Sequence, residues 1–364
     1  MVTVSVFGPM ASIGVVQAIL GHDITPIPCT LHDHAFAGGD CVVPALSAAS
    51  GNTLDGLWLE LTDTQFATFQ FVSDVLGLSA KTVSVTVDGT LRDTTTVETS
   101  TTGSEPWMDA ENLGWAAILS LAIEEILSYR KDLSASDVAD RLGPILSRAA
   151  SKATAMAATP KPSESGHTNK DITIHEHRRP YSLFFTVEEV VFSHTKFDGS
   201  QSDPLLRAVF LAADAVTVLP YDPVRDRVLL VEQVRASPMV RGDQSPWILE
   251  PIAGRIEPGD TPETTARKEA EEEAGLTLQD LHFIGDYYPS TGCFTEYLYS
   301  YVATADLPDS AAGLGGVLAE GEDIRAHIIS RGDLMRRIDN NEIPDGPLIL
   351  TAYWLERNLH RLRG

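Results

Sequence analysis

Cysteine is nearly absent from this chain: three in 364 residues, Cys29, Cys41 and Cys293. So sparse and odd a set excludes a disulfide framework and offers no zinc-type spacing. Basic residues are scarce as well. Lys and Arg number 27 against 51 Asp and Glu, a formal net charge of −24. A chain this acidic repels polyphosphate backbones and anionic bilayers, so neither nucleic acid nor a membrane surface is an expected partner. An anionic small molecule would need local cations or a metal. Long apolar runs are also missing, and no stretch reads as a bilayer span. The apolar start, residues 1–20, has no Lys or Arg ahead of it and is interrupted by Gly8, Pro9 and Gly14. It does not read as a secretory leader, and a cytoplasmic location is the expectation.

What is present is a globular composition, 43% hydrophobic and 21% charged, in a chain too long for one ordinary core. Two domains are expected. Residues 158–170, ATPKPSESGHTNK, hold Pro, Ser and Gly without a large apolar residue and read as a linker between domains 1–157 and 171–364. In the first, strands are predicted at Val2–Phe7, Leu57–Leu61 and Thr82–Val87. Helices are predicted at Ser12–Leu20, Asp109–Tyr129 and Ser134–Ala150, the last opening on a Ser N-cap. In the second, Tyr181–Val191, Ala208–Leu219, Arg227–Val234, Phe283–Tyr288 and Tyr297–Val302 read as extended. Pro262–Ala274 and Pro347 to about Leu362 read as helices. Strands on either side of one central helix, closed by a last helix, predict an α/β (α+β) sandwich. His32 and His34, two apart, could bind a metal on a strand, but with no third ligand nearby a surface loop is expected. His167, His175 and His177 flank the linker and are expected in solvent.

The chemistry concentrates in Gly254–Leu276, GRIEPGDTPETTARKEAEEEAGL. Thr261 suits an N-cap, Pro262 the first helical position and Gly275 the C-cap. Glu269 and Glu273 are four apart and share a face, and Glu272 flanks it. Clustered carboxylates repel unless a cation lies between them, and hard oxygen donors suit Mg²⁺ or Mn²⁺. Acids near a helix C-terminus also oppose the macrodipole. On spacing alone, a solvated acidic face and a metal site both remain open.

The segment resembles the Nudix box, Gly-x5-Glu-x7-Arg-Glu-apolar-x-Glu-Glu-x-Gly-apolar, with Gly254, Glu269, Ala270, Glu272, Glu273, Gly275 and Leu276 in place. Asp260 stands for the first Glu and Lys268 for the Arg, which implies a weaker brace, since Lys cannot pair bidentately. The resemblance implies that Glu269, Glu273 and the backbone carbonyl of Ala253 bind the metal, with Glu272 in support. It extends over Tyr181–Leu359 to ADP-ribose pyrophosphatases, through RVLLVEQVR at 227–235, WILEPIAG at 247–254 and EGEDIR at 320–325. It implies a late-loop base, Glu322 or Glu320, and a diphosphate contact at Arg235. STGCFTE at 290–296 resembles a Ser-Pro-Gly-x-x-x-Glu substrate loop, implicating Ser290 and Gly292 along with Gly254 in substrate binding. Thr291 replaces the proline, so a nucleoside diphosphate sugar is a safer expectation than ADP-ribose itself.

The first half more weakly resembles a γ-glutamylcyclotransferase-like fold, through VSVFGPM at 4–10 and NTLDGLWLELTDT at 52–64. Phe7 replaces the signature Tyr, Pro9 removes a loop donor, and no Glu follows Phe66 where the acid/base belongs, only Asp74. A catalytically silent module is therefore expected over a second enzyme. For the whole chain, the resemblance implies a Mg²⁺-dependent enzyme cleaving ADP-ribose, or a related nucleotide sugar, to AMP and ribose 5-phosphate. The competing expectations are a nucleotide-sugar sensor and a bifunctional enzyme with cyclotransferase activity. A homodimer is expected too, because relatives pair through the strands before the box. Here those carry Phe184, Phe185, Val190, Val191, Phe192 and Val209, and bare apolar strands need cover.

Overall fold

The computed structural model describes residues 1–38, 41–100, 114–161, 163–317 and 321–363. It divides into two compact units, Met1–Pro162 and Ser163–Gly364.

In the first unit, β1 (Val2–Phe7), α1 (Ile13–Leu20), β2 (Ile27–Ala37), β3 (Ala45–Leu61), α2 (Asp63–Val75), β4 (Leu78–Val87) and β5 (Thr90–Thr99) precede three further helices. These are α3 (Trp115–Tyr129), α4 (Ala135–Ala139) and α5 (Leu142–Ala157). The strands close a barrel in the order β1-β3-β2-β4-β5. Alternation sorts its two faces. Val4 and Val6 pack outward with Leu119, Ile123 and Ile145 of the helices, while Phe7 faces Cys29, Leu31, Trp58 and Val85. Between α3 and α5, the buried Glu125 and Arg148 pair at 2.6 Å, and Tyr129 Oη donates to the same carboxylate at 2.9 Å.

The second unit opens with an antiparallel sheet of its own, made by β6 (Ile172–Ser182), β7 (Thr186–His194) and β8 (Leu205–Leu211). The main sheet and its helices follow: β9 (Ala215–Asp222), β10 (Arg227–Val234), α6 (Ala236–Arg241), β11 (Trp247–Glu250), β12 (Ile252–Arg255), α7 (Pro262–Ala274), β13 (Leu281–Tyr287), β14 (Leu298–Thr304), β15 (Gly313–Gly315), β16 (Ile324–Ser330), α8 (Arg331–Asp339) and α9 (Gly346–Leu362). The order is β13-β14-β9-β10-β16-β15, with β14 and β9 parallel. All eight residues of β9 are buried, so both faces of the sheet are covered. Val216, Val218, Leu229 and Val231 face Ala266 and Ala270 of α7, and Leu219, Tyr221, Val228 and Leu230 face Leu334, Leu348 and Leu355 of α8 and α9. This is the expected mixed α/β sandwich. β9 and β10 bond only at Asp222–Arg227 and Tyr221–Val228 and then part. β11 pairs with β10 and β12 with β9, filling the fork between them.

Several local expectations are corrected. The helix read at Ser134–Ala150 is two, α4 and α5, because Gly143 and Pro144 make a new first turn and the apolar face runs on to Ala157. Tyr181–Val191 is split by a turn at 183–185, and Ala208–Leu219 by 212–214, so each run feeds two strands. His32 and His34 sit on β2 rather than a loop. A bulge at Asp33, φ 58°, separates them, and they bond to Thr86 and to the His32 carbonyl. His175 and His177 stand exposed on β6, as expected, while His167 is half-buried beside Phe197. Residues 109–113 of the first long helix lie outside the described residues.

Candidate active site

Helix α7 has the ends its sequence calls for. Thr261 Oγ1 accepts from the Thr264 amide, Pro262 fills the first position, and Gly275 closes the helix at φ 60°. This geometry fixes the phase of Glu269, Glu272 and Glu273. Glu273 is 2% exposed and Glu269 half-buried, while Glu272 stays in solvent. Glu272 therefore borders the site rather than entering it.

Gly254 in β12 explains where Glu269 lies. A β-carbon added there would sit 1.9 Å from Glu269 Oε1 and 2.0 Å from its Cδ. The glycine leaves a cradle, and the Glu269 carboxylate occupies it. Glu273 meets the backbone of Ala253 through the amide, which donates to its carboxylate. The second Glu273 oxygen, Oε2, is buried and has no partner. Burial, and then the charges of Glu269 and Glu322, push the Glu273 carboxyl up to about 8. So deep an acid with an unsatisfied oxygen is costly unless a cation completes it.

Glu322 reaches this group on a loop clamped to the end of α7. The Gly316 amide donates to the Glu272 carbonyl at 3.1 Å, and a β-carbon on Gly315 would lie 2.0 Å from the Glu273 carbonyl oxygen. The Val317 amide donates to Glu322 Oε2 at 3.0 Å. Glu320 lies outside the described residues.

Arg235 directly follows β10, and its guanidinium grips Glu250 with Nε at 2.9 Å and Nη2 at 2.8 Å from Oε2. The charges of Glu273 and Asp345 also act on it. Glu296 is close as well: burial pushes it up to about 7 against the pull of Arg235. Asp345 caps α9 through the Leu348 amide at 2.7 Å, and burial raises it to about 6. Arg235 is thus the cation among Glu250, Glu273, Glu296 and Asp345. Sequence reading passed over Glu250, Glu296 and Asp345, although WILE, the end of STGCFTE and an Asp before a helix were the available signals. Ser290 and Gly292 lie on an exposed turn, where Ser290 Oγ meets Cys293 Sγ at 3.3 Å. The structure does not gather them with the carboxylates.

The brace of the loop also differs from expectation. Lys268 pairs with Glu257 at 3.3 Å, not with Asp260, in an exposed contact of little strength. The firmer tie is Arg267, which donates to the carbonyls of Leu278 and Gln279 at 2.6 and 2.9 Å. Beside the cradle, the Arg255 guanidinium lies 4.9 Å over the exposed ring of Phe184, itself edge-on to Phe185.

A box-bearing helix over a forked mixed sheet, with a glycine cradle for Glu269, defines the Nudix class. The NUDIX domain matches residues 211–347. The chain is 34% identical to the ADP-ribose pyrophosphatase of Haemophilus influenzae, over 54% of this chain and 91% of that protein. It is 33% identical to the ADP-ribose pyrophosphatase of Escherichia coli K12 (53% and 91%), and 30% identical to a GDP-mannose pyrophosphatase of E. coli O1:K1 (48% and 88%). The chain belongs to the Nudix hydrolase family through its second unit. These relatives match about half of it, and none of these matches says what the first unit does.

Proposed function

We propose that the second unit hydrolyses ADP-ribose, or a closely related nucleoside diphosphate sugar, to a nucleoside monophosphate and a sugar phosphate. The observation that carries this is the buried Glu273, with one oxygen unsatisfied and Glu269 and Glu322 turned on it. Among the described residues no group of three His, Cys, Asp or Glu side chains is placed to hold a metal ion. Mg²⁺ needs fewer protein ligands, since it keeps several waters and takes one or two carboxylates plus substrate phosphate oxygens. The donors fit: Glu269 and Glu273 would hold Mg²⁺ or Mn²⁺ beside the Ala253–Gly254 backbone. When bound, the ion neutralises the diphosphate and favours in-line attack by water. Glu322 takes the attacking water's proton on its carboxylate as the phosphoanhydride P–O bond breaks. Arg235, held by Glu250, faces the diphosphate with its remaining donors. The exposed Phe184–Phe185 pair offers the base a stacking platform.

The test is a Mg²⁺-dependent hydrolysis screen over nucleoside diphosphate compounds, run beside Glu273→Gln. Turnover of ADP-ribose or GDP-mannose by the wild type, lost in the variant, supports the reading. Equal turnover by both at saturating Mg²⁺ refutes it. Tight binding of the compounds without turnover would establish a sensor instead.

We further propose a cytoplasmic homodimer whose first unit is a cyclotransferase-like module without catalysis. Asp74 is exposed on α2, not enclosed beside Gly8, which supports the silent reading. Residues 1–157 should release no 5-oxoproline from γ-glutamyl substrates. Ile174, Phe184, Leu206 and Phe210 of the three-stranded sheet region are each about half exposed or more, which supports pairing there. A monomeric full-length chain by light scattering would overturn the dimer.

A further inference from the structure

A second concave surface, about 260 Å³ in volume, is lined by Glu232, Trp247, Leu314, Asp323 and Arg325. Its walls come from four adjacent strands, and strand register fixes how they meet. Leu314 lies opposite Arg325, Arg325 opposite Glu232, and Trp247 opposite Val234, two residues further along β10. Cross-strand partners share a face, so all of these project from one side of the sheet. That side is turned away from α7. Ile324 and Ala326, the neighbours of Arg325, are buried with Ala266 and Ala270 of α7, while Leu230 and Leu249, on the side of Glu232, pack with α8 and α9. The alternation continues to the end of the late loop: Asp323 lines the cleft, and its neighbour Glu322 acts on Glu273 behind it.

The chemistry of the lining selects a ligand. Trp247 is 58% exposed and Leu314 77%, so an indole face and an aliphatic cap are both open to a guest. Arg325 adds a planar guanidinium that stacks on rings. Arg325 and Trp247 are two strand spacings apart across the sheet, about 9.6 Å, and two residues apart along it, about 6.8 Å, so about 12 Å separates them. One ring stacked on both sides at aromatic centroid distances of about 6 Å each spans that gap, and a second ring would need more than about 13 Å. The gap therefore takes one ring system and not two. Glu232 accepts from His327 at 2.7 Å through Oε2, and a carboxylate has acceptor capacity left for an exocyclic amine. Asp323, exposed at the rim, can accept from sugar hydroxyls. Two carboxylates against one guanidinium disfavour a phosphate, so the guest carries no anionic group there.

We propose that this cleft is a second ligand site, taking the base and ribose of an amine-bearing purine nucleoside on the face opposite the carboxylates. The site does not rest on the hydrolase reading, because such a ligand has no diphosphate to cleave.

Equilibrium dialysis of adenosine against the full-length protein in EDTA tests it. Saturable binding is expected, about tenfold weaker in Trp247→Ala, the scale of losing one stacking face. Trp247→Phe should retain it, Glu232→Gln should weaken it, and inosine, without the amine, should bind less well than adenosine. Phe197→Ala, at an exposed aromatic outside both surfaces, should leave it unchanged. Both aromatic side chains are more than half exposed, so neither truncation empties a core. Absence of saturable adenosine binding up to millimolar concentration overturns the proposal. So does binding that Phe184→Ala abolishes and Trp247→Ala does not touch.

Discussion

Replacing Gly254 by alanine separates catalysis from folding at this site. The new β-carbon would fall 1.9 Å from Oε1, 2.0 Å from Cδ and 2.4 Å from Cγ of Glu269. All three atoms belong to the far half of a flexible side chain on a helix face, so the carboxylate can swing out while the backbone stays. The fold then bears the overpacking cost of one methyl, about 1–3 kcal/mol. In a unit of this size that lowers Tm by roughly 2–4 °C per kcal/mol. Activity bears more, because the displaced group is a proposed metal ligand. Losing even a supporting partner of such a ligand costs about 10–100-fold, so Gly254→Ala should lose at least that in kcat/KM. Gly315→Ala is the contrasting control: its β-carbon would meet the Glu273 carbonyl oxygen at 2.0 Å and carbon at 2.7 Å, which is backbone and cannot rotate away. It should melt much lower. The assays are a thermal melt, Mn²⁺ titration and steady-state ADP-ribose hydrolysis. A Gly254→Ala protein that binds Mn²⁺ and turns over like the wild type would show that Glu269 is not needed in its cradle. A melt as low as that of Gly315→Ala would show that the cradle is structural.

Three more outcomes are expected. Glu322→Gln should cut kcat by at least tenfold with Mn²⁺ affinity little changed, while Glu320→Gln leaves turnover near wild type; the reverse pattern would move the base to Glu320. The metal-free protein should lose stability as pH rises from about 4.5 to about 8 and level off above. The folded pKa of Glu273 is raised to about 8, so its stabilising contribution is complete below its unfolded pKa and gone once pH has passed the folded one. Asp345 and Glu296, raised to about 6 and 7, act in the same direction. Melts across this range on wild type and Glu273→Gln check it, since a slope unchanged in the variant would exclude Glu273 as its main source. Finally, Glu125→Ala should destabilise the first unit by about 3–5 kcal/mol in urea, because it removes the carboxylate with which the buried Arg148 now pairs at 2.6 Å; a loss under 1 kcal/mol would mean water or another group takes over that guanidinium.

The sequence alone determined much of the second unit. The bounds of α7 follow from Thr261, Pro262 and Gly275, because caps are local chemistry, and the phase of Glu269 and Glu273 follows from helical periodicity. The strands of the main sheet were legible as apolar runs. Their interruptions at 183–185 and 212–214 were not, since no Gly or Pro marks them and only pairing partners show where a strand must end. That Glu272 stays in solvent while Glu273 is buried was also beyond reading, because adjacent acids differ only in what packs over them. Glu250, Glu296 and Asp345 come from three separate segments, and only the fork between β9 and β10 and the start of α9 bring their charges to Arg235. Lys268 chose Glu257 over Asp260 for the same reason: charge sign is written in sequence, but reach depends on how the loop folds. The first unit shows the limit most plainly. Apolar runs marked β1, β4 and only the C-terminal end of β3, while β2 and β5 went unread, and closure into a barrel depends on β1 meeting β5, a contact between segments about 90 residues apart that no local pattern encodes.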